Sequence, residues 1–116
     1  IKSYQKKEVV EKERNIAFDV RSQLPEGFIP YDCPLSMELL FVFPPLASMN
    51  KATKLAIEKG EIVYKPTKPD LHDNLAKIVA DSMNGIVFVD DSRICKVASQ
   101  KIYGLIPRTE VIIKKL

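Results

Sequence analysis

At 116 residues, the chain is long enough for one domain with a modest core. An apolar share of 46% with 28% charged residues excludes a disordered chain, and no apolar run approaches the ~20 residues a membrane span needs. The net charge of +3 permits a nucleic-acid partner without demanding one.

The opening residues, IKSYQKKEVV, are charged and lack the apolar core of a signal peptide. They do not begin with Met, which is read as either a trimmed chain or only the ordered part of one. Cys33 and Cys95 stand alone, with no second Cys or His at metal-binding spacing. Both are therefore expected to be reduced residues of a cytoplasmic protein, and a zinc site is not expected. One His and no local Ser/His/Asp motif leave little room for triad chemistry.

Residues 3–24 are predicted to be helical, with Val9, Val10, Ile16, Ala17, Val20 and Leu24 as a rough apolar stripe. Lysines and arginines on this helix form either a solvated face or a phosphate contact. Pro25, Gly27, Pro30 and Pro34 make the next stretch a loop. Residues 35–43, LSMELLFVF, form the clearest strand. Met37, Leu39, Phe41 and Phe43 alternate on one face while Leu40 and Val42 keep the other mostly apolar, so the strand should be internal to its sheet. Pro44-Pro45 ends it.

Residues 46–60 lack clean periodicity and carry Lys51, Lys54 and Lys59. They are expected to form a short helix over 50–59 or a functional loop. A short strand is expected over 61–65, followed by an extended, proline-bound approach through Lys68 and Pro69.

The stretch KPDLHDNLAKIVADSMNGIVFVDD, residues 68–91, organises the rest. Leu71, Leu75, Ile78, Val79 and Met83 recur at helical spacing. Asp70 stands where an N-cap belongs and Asn84-Gly85 where a C-cap belongs. Ile86–Val89 reads as a short buried strand ending in Asp90 and Asp91. Strands are predicted over 92–103 and 109–114, with a turn at Gly104 and Pro107. The sum is a single α+β domain: a mixed β-sheet with helices packed on one face.

Taken alone, Asp70 and Asp73 are what an ordinary helix start favours, and Asp90-Asp91 suits a polar turn. If the helix folds back on the strand, these carboxylates can converge. Converging oxygen donors suit a hard divalent cation. A metal held by aspartates activates water for phosphodiester hydrolysis, and a nearby lysine neutralises phosphate charge.

KPDLHDNLAK followed by NGIVFVDDSRI resembles the RusA family of Holliday junction resolvases, found widely in phages and prophages. The family motif reads roughly K-P-D-x-D-N-L-x-K, then a helix, then N-G-I-h-h-x-D-D-x-Q-I, where h is apolar. The close match covers residues 68–94; a weaker one extends back through the first helix, the LLFVFPP strand and the lysine-bearing loop.

The resemblance implies a homodimeric endodeoxyribonuclease that uses Mg2+ or Mn2+ and resolves four-way DNA junctions by paired nicks. It assigns Asp70, Asp73 and Asp91 to the metal and Lys77 to catalysis beside the phosphate. Asp90, His72 and Asn74 would assist, and Lys51, Lys54 and Lys68 would meet DNA. It also implies a bacterial or phage-encoded protein, cytoplasmic and nucleoid-associated, with no membrane partner.

This sequence departs from the motif in three ways. Two residues, Leu71 and His72, stand between the aspartates where the family has one. Arg93 replaces the family's glutamine. The family's basic N-terminal strand, rich in Gly and Pro, is absent. Two other readings follow: a catalytically inactive junction-binding relative, and a small interaction domain whose acidic turns are only caps.

Overall fold

The structure, a computed structural model, describes residues 7–116, with side chains from residue 14 onward except those of His72 and Asp73. In chain order it contains α1 (Lys7–Gln23), β1 (Leu35–Phe43), α2 (Lys51–Glu58), a π-helical segment (Leu71–Ala76) that runs directly into α3 (Lys77–Met83), a 3₁₀ turn (Asp91–Arg93), β2 (Ile94–Tyr103) and β3 (Arg108–Lys115).

β1 is the central strand of a mixed sheet ordered β2-β1-β3. It pairs parallel to β2, with Phe41 opposite Lys101, and antiparallel to β3, with Leu39 opposite Val111. Its alternation explains the placement. Leu35, Met37, Leu39 and Phe41 are buried against Ala76, Val79 and Met83 of the π–α3 helix, with Val87 and Phe88 beside them. Ile16 and Val20 of α1, with Leu24 just after it, pack against the same core, as the apolar stripe predicts; Val9 and Val10 lie outside the described side chains. The opposite face is open: Glu38 and Ile112 are exposed there. The expected α+β architecture is what the chain adopts, with α1 and the π–α3 helix packed on one face of a mixed sheet.

Asn50 caps α2 by accepting a hydrogen bond from the Thr53 backbone N–H at 2.8 Å. Of the two alternatives for residues 46–60, the helix is therefore the one realised. Two expected strands are not. Residues 61–65 form a single bridge, Tyr64 with Ile102, because the following prolines leave little ladder to extend. Residues 86–89 form a turn. The Ile86 and Val87 N–H groups both donate to the Met83 carbonyl, and Gly85, at φ +75°, donates to Phe88. Only Phe88 is bridged, to Tyr31 and Asn84. The run is buried as expected at Val87 and Phe88, but a four-residue apolar run does not distinguish a strand from a tucked turn.

Candidate active site

The acidic residues lie in two groups, with the π–α3 helix between them. Asp70 closes an extended approach (φ −65°, ψ 139°) and opens the π-helical segment. Asp70 takes the N-cap position that the sequence expects, but its carboxylate makes no capping hydrogen bond. The side chain is exposed and has no ion-pair partner among the described residues.

The Asp70 carbonyl accepts a hydrogen bond from the Leu75 N–H at 3.1 Å, five residues on, which is the π pattern. A π turn holds one more residue than an α turn. The π turn therefore sets the spacing of Asp70 and Asp73 within one widened first helical turn. His72 and Asp73 belong to this turn; their side chains lie outside the described residues.

Lys77 begins α3 and pairs with Asp81 one turn on, at 3.1 Å. Asn74 is exposed, and its carbonyl accepts the Lys77 backbone N–H. At the other end of the helix, Asp90 caps the 3₁₀ turn by accepting from the Ser92 N–H at 3.0 Å. The hydroxyl of Ser92, then its N–H, hold the Asp90 carboxyl below the usual carboxylate range. Asp91 is half-buried at the start of that turn. The Arg93 guanidinium donates to Asp32 at 2.7 Å, tying the turn to the loop that enters β1.

The helix direction decides what comes together. Asn74 and Leu75 line a groove with Phe41 and Phe43, at the far end of β1. Met83 lines one with Tyr31 and Ile113, near the start of β1. The π–α3 helix is therefore antiparallel to β1 and β2. Asp70 and Asp73 sit at the Phe43 end, and Asp90 and Asp91 at the Leu35 end, separated by the length of the helix, roughly 20 Å.

Lys68 is exposed two residues before Asp70. Lys51 and Lys54 lie on α2, where Lys54 donates to the Ala47 carbonyl at 3.0 Å. A residue the sequence reading passes over is Lys101. It lies on the helix-facing side of β2, opposite Phe41, and its ammonium reaches the loop that delivers Asp70. A lysine at the inward phase of a strand is the signal, blurred here by imperfect alternation in β2.

A sequence model described as endodeoxyribonuclease RusA matches residues 2–114. The chain belongs to the RusA family. This covers both acidic groups and every lysine named above, and it assigns the chain to nucleases of the Holliday-junction-resolving kind. The chain is also similar to an uncharacterized protein, YqaN of Bacillus subtilis (strain 168). The two are 31% identical over 101 residues, which is 87% of this chain and 70% of the relative. No solved structure matches this RusA-family chain. Among its described residues, no helix is long and apolar enough to cross a membrane.

Proposed function

We propose that this RusA-family protein is a metal-dependent, structure-selective endonuclease that resolves four-way DNA junctions as a homodimer. The observation that carries the reading is the family match over nearly the whole chain, which includes the paired acidic motifs. The donor chemistry fits a hard divalent cation, Mg2+ or Mn2+, because the motif offers exposed carboxylate oxygens and no cysteine. Asp70, Asp73 and Asp91 are the residues assigned to hold it. The cation would supply an activated water and charge stabilisation at the phosphate.

A ligand set that includes both Asp70 and Asp91 spans the helix, so it draws on two copies of the chain. Symmetric dimers are the commonest assembly, and paired nicks across a junction need two opposed sites.

The chain's own cations take the DNA. Lys77, on the exposed face of α3, meets the phosphate near the carboxylates. Lys68 on the approach loop and Lys51 and Lys54 on α2 meet the backbone farther out. Asp90 and Asn74 shape the two ends of the helix, and His72 lies in the same turn as Asp73.

The test is a nicking assay on a synthetic four-way junction with magnesium or manganese, with a linear duplex as control. Paired, symmetric nicks on the junction alone support the proposal. Saturable junction binding without nicking in either metal overturns catalysis and leaves a junction-binding relative.

A further inference from the structure

The loop that leads to Asp70 is held by a side chain that reaches it from β2. Lys101 projects from β2 on the helix side of the sheet, in register with Phe41. Its ammonium donates to the Thr67 carbonyl at 2.5 Å and to the Pro69 carbonyl at 2.7 Å. The Lys101 backbone carbonyl accepts the Lys65 N–H at 3.0 Å, and the Tyr103 N–H donates to the Val63 carbonyl at 2.9 Å, so the incoming chain is fixed to β2 just before the clamp. Lys65 adds a second restraint. Its ammonium stands 5.1 Å from the Phe43 ring centre and 5.2 Å from that of Tyr103, and it donates to the Thr67 hydroxyl at 3.1 Å.

The Pro69 carbonyl belongs to the same rigid peptide plane as the Asp70 nitrogen. Fixing that oxygen fixes the plane on which Asp70 is mounted. The Asp70 carboxylate does not fix itself, because it makes no capping hydrogen bond. Hydrogen bonds from an ammonium are also stronger than those between neutral groups. We infer that Lys101 is the positioning residue for Asp70: its ammonium gathers the Thr67 and Pro69 carbonyls and so sets the direction in which the Asp70 carboxylate leaves the loop.

The inference rests on the proposed nuclease reading, since the value of an oriented Asp70 lies in the chemistry there. Lys101 is assigned no contact with DNA or metal; it acts through the loop.

The experiment compares the full-length parent chain with Lys101→Met, which keeps the aliphatic stem and removes the donors, and with Lys101→Arg, which restores them. Junction nicking at saturating DNA, the magnesium concentration for half-maximal nicking, metal-free junction binding and thermal midpoint are measured. Amide hydrogen exchange over residues 67–71 is followed without metal. The expected result for Lys101→Met is a turnover at least tenfold lower and a magnesium midpoint raised at least threefold. Exchange over 67–71 should be faster, with junction affinity and thermal midpoint held. Lys101→Arg should recover most of the turnover.

Parent-level turnover and magnesium midpoint in Lys101→Met would overturn the inference. So would a loss of turnover that tracks loss of folding and junction binding and is not recovered by Lys101→Arg. If the parent itself binds junctions without nicking, the nuclease reading fails on its own. The exchange measurement still decides the clamp: unchanged exchange over 67–71 in Lys101→Met overturns it, and faster exchange confined to that loop upholds it.

Discussion

Gly104 lies directly over Val42: a β-carbon on Gly104 would stand 2.6 Å from the Val42 Cγ1. The reason is topological. β2 and β3 flank β1, so the link between them crosses the end of the central strand, and the Gly104 N–H donates to the Phe43 carbonyl at 2.9 Å on the way. Val42 is buried and β-branched, so it has no free rotamer with which to yield. Gly104→Ala should therefore lower stability by about 1–3 kcal/mol, as overpacking does. Urea unfolding of parent and variant checks this; an unchanged midpoint would mean the link moves aside.

Asp73→Asn removes a charge assigned to the metal while keeping the size of the side chain. It should bind four-way junctions with parent-like affinity and not cut them, a loss of at least a hundredfold in nicking rate. Gel-shift and nicking assays on the same preparation separate the two. Unchanged cutting would remove Asp73 from the site.

Asp90 gives a pH-dependent outcome. Its carboxyl is held below the usual range by the Ser92 hydroxyl and N–H. A depressed folded value means that the stabilisation is present above the unfolded value, about 3.9, and is lost as pH falls through the lower folded value. Asp90→Ala should therefore be less stable than the parent at pH 7. The gap should narrow only in strong acid, as the parent's own Asp90 becomes protonated. Thermal unfolding from pH 7 down to pH 2 reads the convergence; a gap that persists at the acid end would show that the cap acts without its charge.

Lys51 and Lys54 make a prediction about salt. Each lysine removed from a phosphate should reduce the slope of log affinity against log salt by about 1. Replacing both with Ala should flatten the slope by up to about 2 without favouring one junction sequence over another. Fluorescence anisotropy at several salt concentrations measures it. Asn50→Ala, which removes the cap of α2, should weaken binding in the same direction by fraying the helix that presents them.

The sequence shows its strongest features where local pattern and burial agree. β1 is legible to the residue, because alternation on one face and apolar residues on the other mark a strand with two neighbours. The end of α3 is legible from Asn84-Gly85, since only a residue at home at positive φ closes the helix there. The apolar run at 86–89 is held by a turn and isolated bridges rather than by a ladder, and no periodicity reveals that. The extra residue between Asp70 and Asp73 is visible as an insertion, but the π turn that sets their spacing depends on the Leu75 N–H reaching past the usual partner to the Asp70 carbonyl. Lys101 is invisible because the carbonyls it gathers lie more than thirty residues earlier in the chain.

The strand order also governs how the protein comes into being. β1 is complete at Phe43, yet its parallel partner ends at Tyr103 and its antiparallel partner at Lys115. At synthesis rates of about 5–20 residues per second, the most apolar strand of the chain waits several seconds with both edges bare. Only the last dozen residues close it. A nascent chain stalled before β3 would carry an open edge of Leu, Phe and Val, a natural substrate for chaperones and a seed for aggregation.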